Sequence, residues 1–82
     1  MSLAVSRLGD KMNNLATMGS DASSVFVNGR LVVILNSRVS DNHIMVTGSS
    51  TVYANGRQIC RVTDRDRGNH VSIEGSPNVF SG

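Results

Sequence analysis

A chain of 82 residues allows one small domain, and a domain of this size buries only about 60 to 65% of its unfolded surface, so little stability is to spare. With 39% apolar residues, one Tyr, two Phe and no Trp, the core must be built from Val, Ile, Leu and Met, a thin set that calls for a staple, a metal or a partner. Eight Lys and Arg, seven of them Arg and scattered among turns, stand against six Asp and Glu; the net charge of +2 excludes the dense cationic stripe of a nucleic-acid binder.

The opening stretch, MSLAVSRLGD, meets a charge at Arg7 before a signal-peptide core can form, so synthesis in the cytoplasm without an export signal is expected. No run approaches the ~20 apolar residues of a membrane span; the longest, 31–35, is of strand length. KMNNLATM at 11–18 is the one candidate helix, and its two Asn and missing continuation predict a turn or loop instead. VFVNGR at 25–30 predicts a hairpin, because Asn-Gly suits the type I′ turn, in which both central residues take positive φ. A strand LVVIL, a turn LNS, a polar stretch ending at His43, a strand IMV and a closing Gly-Ser follow. VYANGR at 52–57 then begins the same series again, through QICRVTD, TDRDRGN, His70, VSI and Gly-Ser, and the chain stops on NVFSG, which reads as a further start. TDRDRGN at 63–69 is the densest charge cluster, and its alternating signs predict a solvated turn with weak local ion pairs. Cys60 is the only cysteine, so no internal disulfide forms, and its strand neighbours mark it as a small buried apolar residue.

Laid over 52–77 at an offset of 27, residues 25–50 match at nine of 26 positions, among them Asn28/Asn55, Gly29/Gly56, Arg30/Arg57, Asn42/Asn69, His43/His70, Gly48/Gly75 and Ser49/Ser76. The same offset carries back to Arg7-Leu8-Gly9-Asp10 and forward to Val79-Phe80, giving about three units with the ends divided between the first and the last. Only around Gly19 does the frame call for about two extra residues. Units of this length cannot bury their own apolar face and need neighbours. With three of them, closure about an axis leaves no raw ends, so the prediction is an all-β single domain over residues 1–82. It is a small cone-shaped, three-sided β body of three ~27-residue repeats with pseudo-threefold symmetry, its first and last units zipped together at the termini.

AVSRLGD at 4–10, LVVILNS at 31–37 and QICRVTD at 58–64 look like three degenerate copies of a Pro-Ala-Ala-Arg motif followed by a strand residue and Gly-Asp. Together with GSSTVYANGR and GSPNVFSG at their spacing, they make the whole chain resemble the PAAR-repeat family of spike tips. The literal motif is absent from every copy, and the middle one has Ile34 for Arg and Asn36-Ser37 for Gly-Asp. The resemblance implies a membrane-piercing tip, one copy of which caps and sharpens a trimeric β-helical spike protein in a contractile injection machine. A pseudo-threefold monomer can match a true threefold partner. The absence of a toxin segment favours a phage tail baseplate, placing the protein in the virion where it contacts the target envelope. The alternative is a type VI secretion spike tip or adaptor.

In the family resembled, His and Cys residues of the apical turns hold a metal, typically zinc, and this carries over to His43 and His70, with Cys60 as a candidate third ligand and zinc or iron as the ion. The third repeat position is Ala16 by the strict offset or Asn14 counted back from Gly19, and neither is a good ligand. Without a metal, the two histidines would be hydrogen-bonded or solvated. The docking face is expected at Val25, Phe26, Val52, Tyr53, Val79 and Phe80, with residues 3–5. Catalysis is not expected: Cys60 with His70 would be the one thiol-imidazole pair, and the repetition of the His without the Cys points to structure. A small barrel binding nucleic acid lacks paired aromatics for stacking, and no small-molecule substrate is implied.

Overall fold

The computed structural model describes residues 2–19, 25–40 and 42–82, and these contain no helix. Their strands are short: β1 (Leu3–Ala4), β2 (Phe26–Val27), β3 (Arg30–Leu31), β4 (Tyr53–Ala54), β5 (Arg57–Gln58) and β6 (Phe80–Ser81). Asn28 and Gly29 have φ of 54° and 79°, and Asn55 and Gly56 have 51° and 79°, the doubly left-handed backbone of a type I′ turn. Each such turn closes an antiparallel pair, β2 with β3 and β4 with β5. The third pair joins the ends of the chain, with Leu3 opposite Ser81 and Ala4 opposite Phe80. The expected zipping of the termini is present.

Between these pairs the chain is tied by single bridges. Val5 pairs with Arg61, Val32 with Arg7 and Ile59 with Ile34. Further along, Met12 pairs with Ser72, Val39 with Met18 and Asp66 with Met45. In each set the residues are 27 apart in sequence, so the strict offset holds through Met18 and the frame shift expected around Gly19 does not occur before that glycine. Gly19, Val46 and Ile73, again 27 apart, donate their N–H to Arg38 O, Arg65 O and Lys11 O, and Val25, Val52 and Val79 accept from Val32, Ile59 and Val5 at the same offset, so the two extra residues expected around Gly19 are not needed. Residues 20–24 lie outside the described residues, as does Asp41 of the polar stretch before His43. The Cα extents are 25 × 24 × 23 Å, so the body is not drawn out along any axis.

The Arg-x-x-Asp motif proves to be a turn lock. Asp10 Oδ2 accepts from Arg7 N at 2.8 Å and Nε at 3.0 Å, and Oδ1 accepts from Nη2 at 3.1 Å. Asp64 does the same for Arg61 at 2.7, 3.0 and 3.2 Å. The middle copy keeps the backbone half of this arrangement, with Ile34 N donating to Ser37 Oγ at 3.2 Å. The third residue of each turn has positive φ: Gly9 at 87°, Asn36 at 70° and Thr63 at 82°. A β-branched residue is strained there. The solvated turn predicted for TDRDRGN holds for Thr63, Arg65, Arg67, Gly68 and Asn69, which are exposed, and is corrected for Asp64 and Asp66, which are both buried.

Two apolar clusters fill the interior. Val5, Val32, Ile34, Ala54 and Ile59 pack with the hairpin residues Val27 and Leu31. Met12, Met18, Val33, Val39, Met45 and Cys60 pack with Ala16. Where the offset of 27 brings polar residues to the second layer, they satisfy each other: Ser6 and Ser72, counterparts of Val33 and Met45, bond through their hydroxyls at 2.8 Å. Burying each hydroxyl without such a partner would cost about 1 to 3 kcal/mol.

Candidate metal centre

Three tight turns carry the site. Met12 N donates to Ala16 O, Val39 N to His43 O and Asp66 N to His70 O, at 2.8, 2.7 and 3.0 Å. The residue before each acceptor lies in the left-handed region, Leu15 at φ 67°, Asn42 at 73° and Asn69 at 67°; Asn tolerates that conformation far better than Leu. The turns then bond to one another in a closed ring, Asn13 N to Val71 O, Ser40 N to Thr17 O and Arg67 N to Ile44 O. Ala16, and not Asn14, is thereby the counterpart of His43 and His70.

The ring brings the two predicted histidines together, with ring centroids 5.8 Å apart and planes at 38°. Asp66 completes the group. Its Oδ2 lies 3.7 Å from His43 Nδ1 and 3.5 Å from His70 Nδ1, while Oδ1 accepts the His70 backbone N–H at 2.9 Å. One donor atom from each residue falls within 4.8 Å of the others. Bonds of about 2.0 to 2.1 Å in a tetrahedral site place neighbouring donors about 3.3 Å apart, close to both Asp66 distances and longer than a hydrogen bond. Asp66 is 2% exposed and its Oδ2 accepts no hydrogen bond among the described residues. A carboxylate so placed needs a cation to offset its lost hydration, and both imidazoles keep about a third of their surface open to solvent.

Cys60 does not join them. Strand parity turns it into the second cluster, where Val33 is its counterpart, and its Sγ donates to Thr47 O at 3.5 Å. Burial, reinforced by the Asp64 carboxylate and only partly opposed by Arg61, pushes the thiol up to about 12, so it stays protonated. The structure places Asp66, and not the expected Cys60, beside the two histidines. A sequence signal existed: at the offset of 27, Asp66 stands under Val39 and Met12, so the repeat assigns an acid to a core position.

The expected docking residues are exposed, and evenly so. Phe26, Tyr53 and Phe80 show 61, 57 and 56% of their surface, and Val25, Val52 and Val79 show 37, 40 and 38%. No protein-family model and no curated protein matches the sequence.

Proposed function

We propose that the protein is the tip of a contractile injection machine, a phage tail baseplate spike tip that caps a trimeric β-helical spike with one copy per trimer. In this reading three 27-residue units surround a pseudo-threefold axis and taper from a hairpin base to a metal-tied apex. The observation that carries it is the closed ring: bridges and turn bonds each run from unit to unit, and the pairing of β1 with β6 supplies the hairpin that the other two units make with an Asn-Gly turn. A monomer of that kind offers the same groups three times to a threefold partner.

The three aromatic and three valine side chains at matched exposure form the base, which covers the strand edges at the end of the spike. At the other end His43, Asp66 and His70 hold zinc, or iron, which fastens two of the three turns to each other. The ion's role is to hold shape, and the protein's work is mechanical: it concentrates the force of contraction on a small area of envelope. The test is native mass spectrometry with a trimeric β-helical spike protein. One chain per trimer is expected, lost in Phe26→Asp/Tyr53→Asp/Phe80→Asp; a stoichiometry of three per trimer, or capture by the folded triple variant, would overturn the reading.

A further inference from the structure

The net charge of +2 conceals a partition between interior and surface. Lys11, Arg30, Arg38, Arg57, Arg65 and Arg67 are exposed, whereas Asp10, Asp64 and Asp66 are buried, and Glu74 is the one exposed acid among the described residues. Asp21 and Asp41 lie outside those residues, and the six cations exceed the acids whatever the place of these two. The cations fall into two groups. Arg30 and Arg57 are turned onto the neighbouring locks, donating to Leu8 O and Leu35 O at 3.3 Å each. The other four surround the histidine-bearing end. Lys11, Arg38 and Arg65 form bridges with Thr17, Ile44 and Val71 that bracket the turns 12–16, 39–43 and 66–70, and Arg67 lies within the last of these.

Among the described residues no carboxylate lies within ion-pair distance of these four side chains, although Glu74 comes near the girdle by accepting the Lys11 backbone N–H at 3.0 Å. Arg65 instead reaches Asn69 Oδ1 at 2.7 Å, which carries its guanidinium toward the turn itself. Because the turns bond in a closed ring, the cations are spread around that end and do not gather on one flank.

We infer that the end of the molecule carrying His43 and His70 binds the phosphate groups of an anionic lipid surface through Lys11, Arg38, Arg65 and Arg67. The inference rests on reading that end as the apex. A plane pressed against a ring of cations meets all of them, whereas a rod such as a nucleic-acid duplex meets one side. Stacking of bases is also unsupported there, because the three aromatic residues belong to β2, β4 and β6. Each cation near such a surface adds a similar increment of attraction, which decays within a Debye length.

The test is flotation of the full chain, zinc-loaded, with vesicles of about 30% phosphatidylglycerol in phosphatidylcholine and with pure phosphatidylcholine vesicles. Binding is expected only to the anionic vesicles and is lost at about 0.5 M salt. Lys11→Gln/Arg38→Gln/Arg65→Gln lowers the partition about 100-fold, while Arg30→Gln/Arg57→Gln, checked for an unchanged melting transition, does not. Equal binding to neutral vesicles, no binding to anionic ones or full binding by the folded triple variant would each overturn the inference. So would a preference for duplex DNA over vesicles at equal phosphate, or full competition by millimolar inorganic phosphate. No spike protein is present in these mixtures: loss of vesicle binding with intact spike capture overturns this inference alone, and the converse overturns the spike reading alone.

Discussion

Gly68 lies directly against the imidazole of His43: a Cβ at position 68 would stand 2.7 Å from Cε1 and 2.8 Å from Nδ1 of that ring. The ring is half-exposed and can swing outward, so Gly68→Ala costs the fold little, within about 0.5 kcal/mol. The displaced ring no longer faces Asp66. Zinc affinity should fall about 10- to 100-fold in competition titrations while the metal-free melting temperature stays put.

Removal of ligands separates Asp66 from Cys60. Wild-type protein should carry about one equivalent of zinc by elemental analysis, lost in His43→Ala, His70→Ala and Asp66→Asn but kept in Cys60→Ser. Zinc at 100 times its Kd should stabilise the wild type by about 2.7 kcal/mol, read as a rise in melting temperature that chelator reverses. Asp66→Asn should lose that rise without loss of metal-free stability, since it also removes a buried charge.

The two kinds of turn lock differ in what they leave behind. Asp10→Ala takes the counter-charge from the largely buried Arg7 guanidinium, which keeps only the neutral acceptors Asn28 Oδ1 and Gly75 O, and frees a backbone N–H, a loss of about 3 to 5 kcal/mol. Ser37→Ala removes a neutral acceptor from Ile34 N and should cost about 1 kcal/mol. Urea unfolding of the two variants measures the difference, and near-equal midpoints would contradict it.

Thr63 occupies at φ 82° the position held elsewhere by Gly9 and Asn36, with its side chain exposed. Relief of that strain is worth about 1 to 3 kcal/mol, less about 0.5 to 1 kcal/mol of added chain entropy. Thr63→Gly should therefore raise the melting temperature by several degrees, roughly 4 to 8 °C per kcal/mol gained.

Alkaline stability reports on Cys60. Its thiol ionises near 9 when unfolded and is held up to about 12 when folded, so the unfolded chain binds fewer protons in that window. The contribution is complete below pH 9 and is lost as pH rises, by about 1.4 kcal/mol per pH unit. Cys60→Ala should remove this part of the slope, and equal slopes between pH 9 and 11 would show that the thiol is not held back by burial.

Much of the fold was legible because its turns use residues with few alternatives. Asn28-Gly29 and Asn55-Gly56 take the type I′ backbone that Asn-Gly favours, and the leftover NVFSG pairs with the opening residues as a divided unit requires. His43 and His70 could be brought together from their shared offset. Asp66 was not found, because alternating Asp and Arg in one turn reads locally as a solvated surface, and only comparison with Met12 and Val39 reveals a core position. The same locality hid the charge partition, since Asp10 and Asp64 look exposed until the Arg three residues earlier is seen to fold back on them. Cys60 was rightly placed in a strand, but the side it faces depends on strand parity within the closed body.

The pairing of β1 with β6 also sets an order in time. Leu3 waits for Ser81 as its partner, so the ring cannot shut until residue 81 has been made, and until then a hydrophobic interior stands open along the missing third side. Closure through so distant a pair is a late, long-range event, and a chain without Phe80 and Ser81 loses the clasp between β1 and β6.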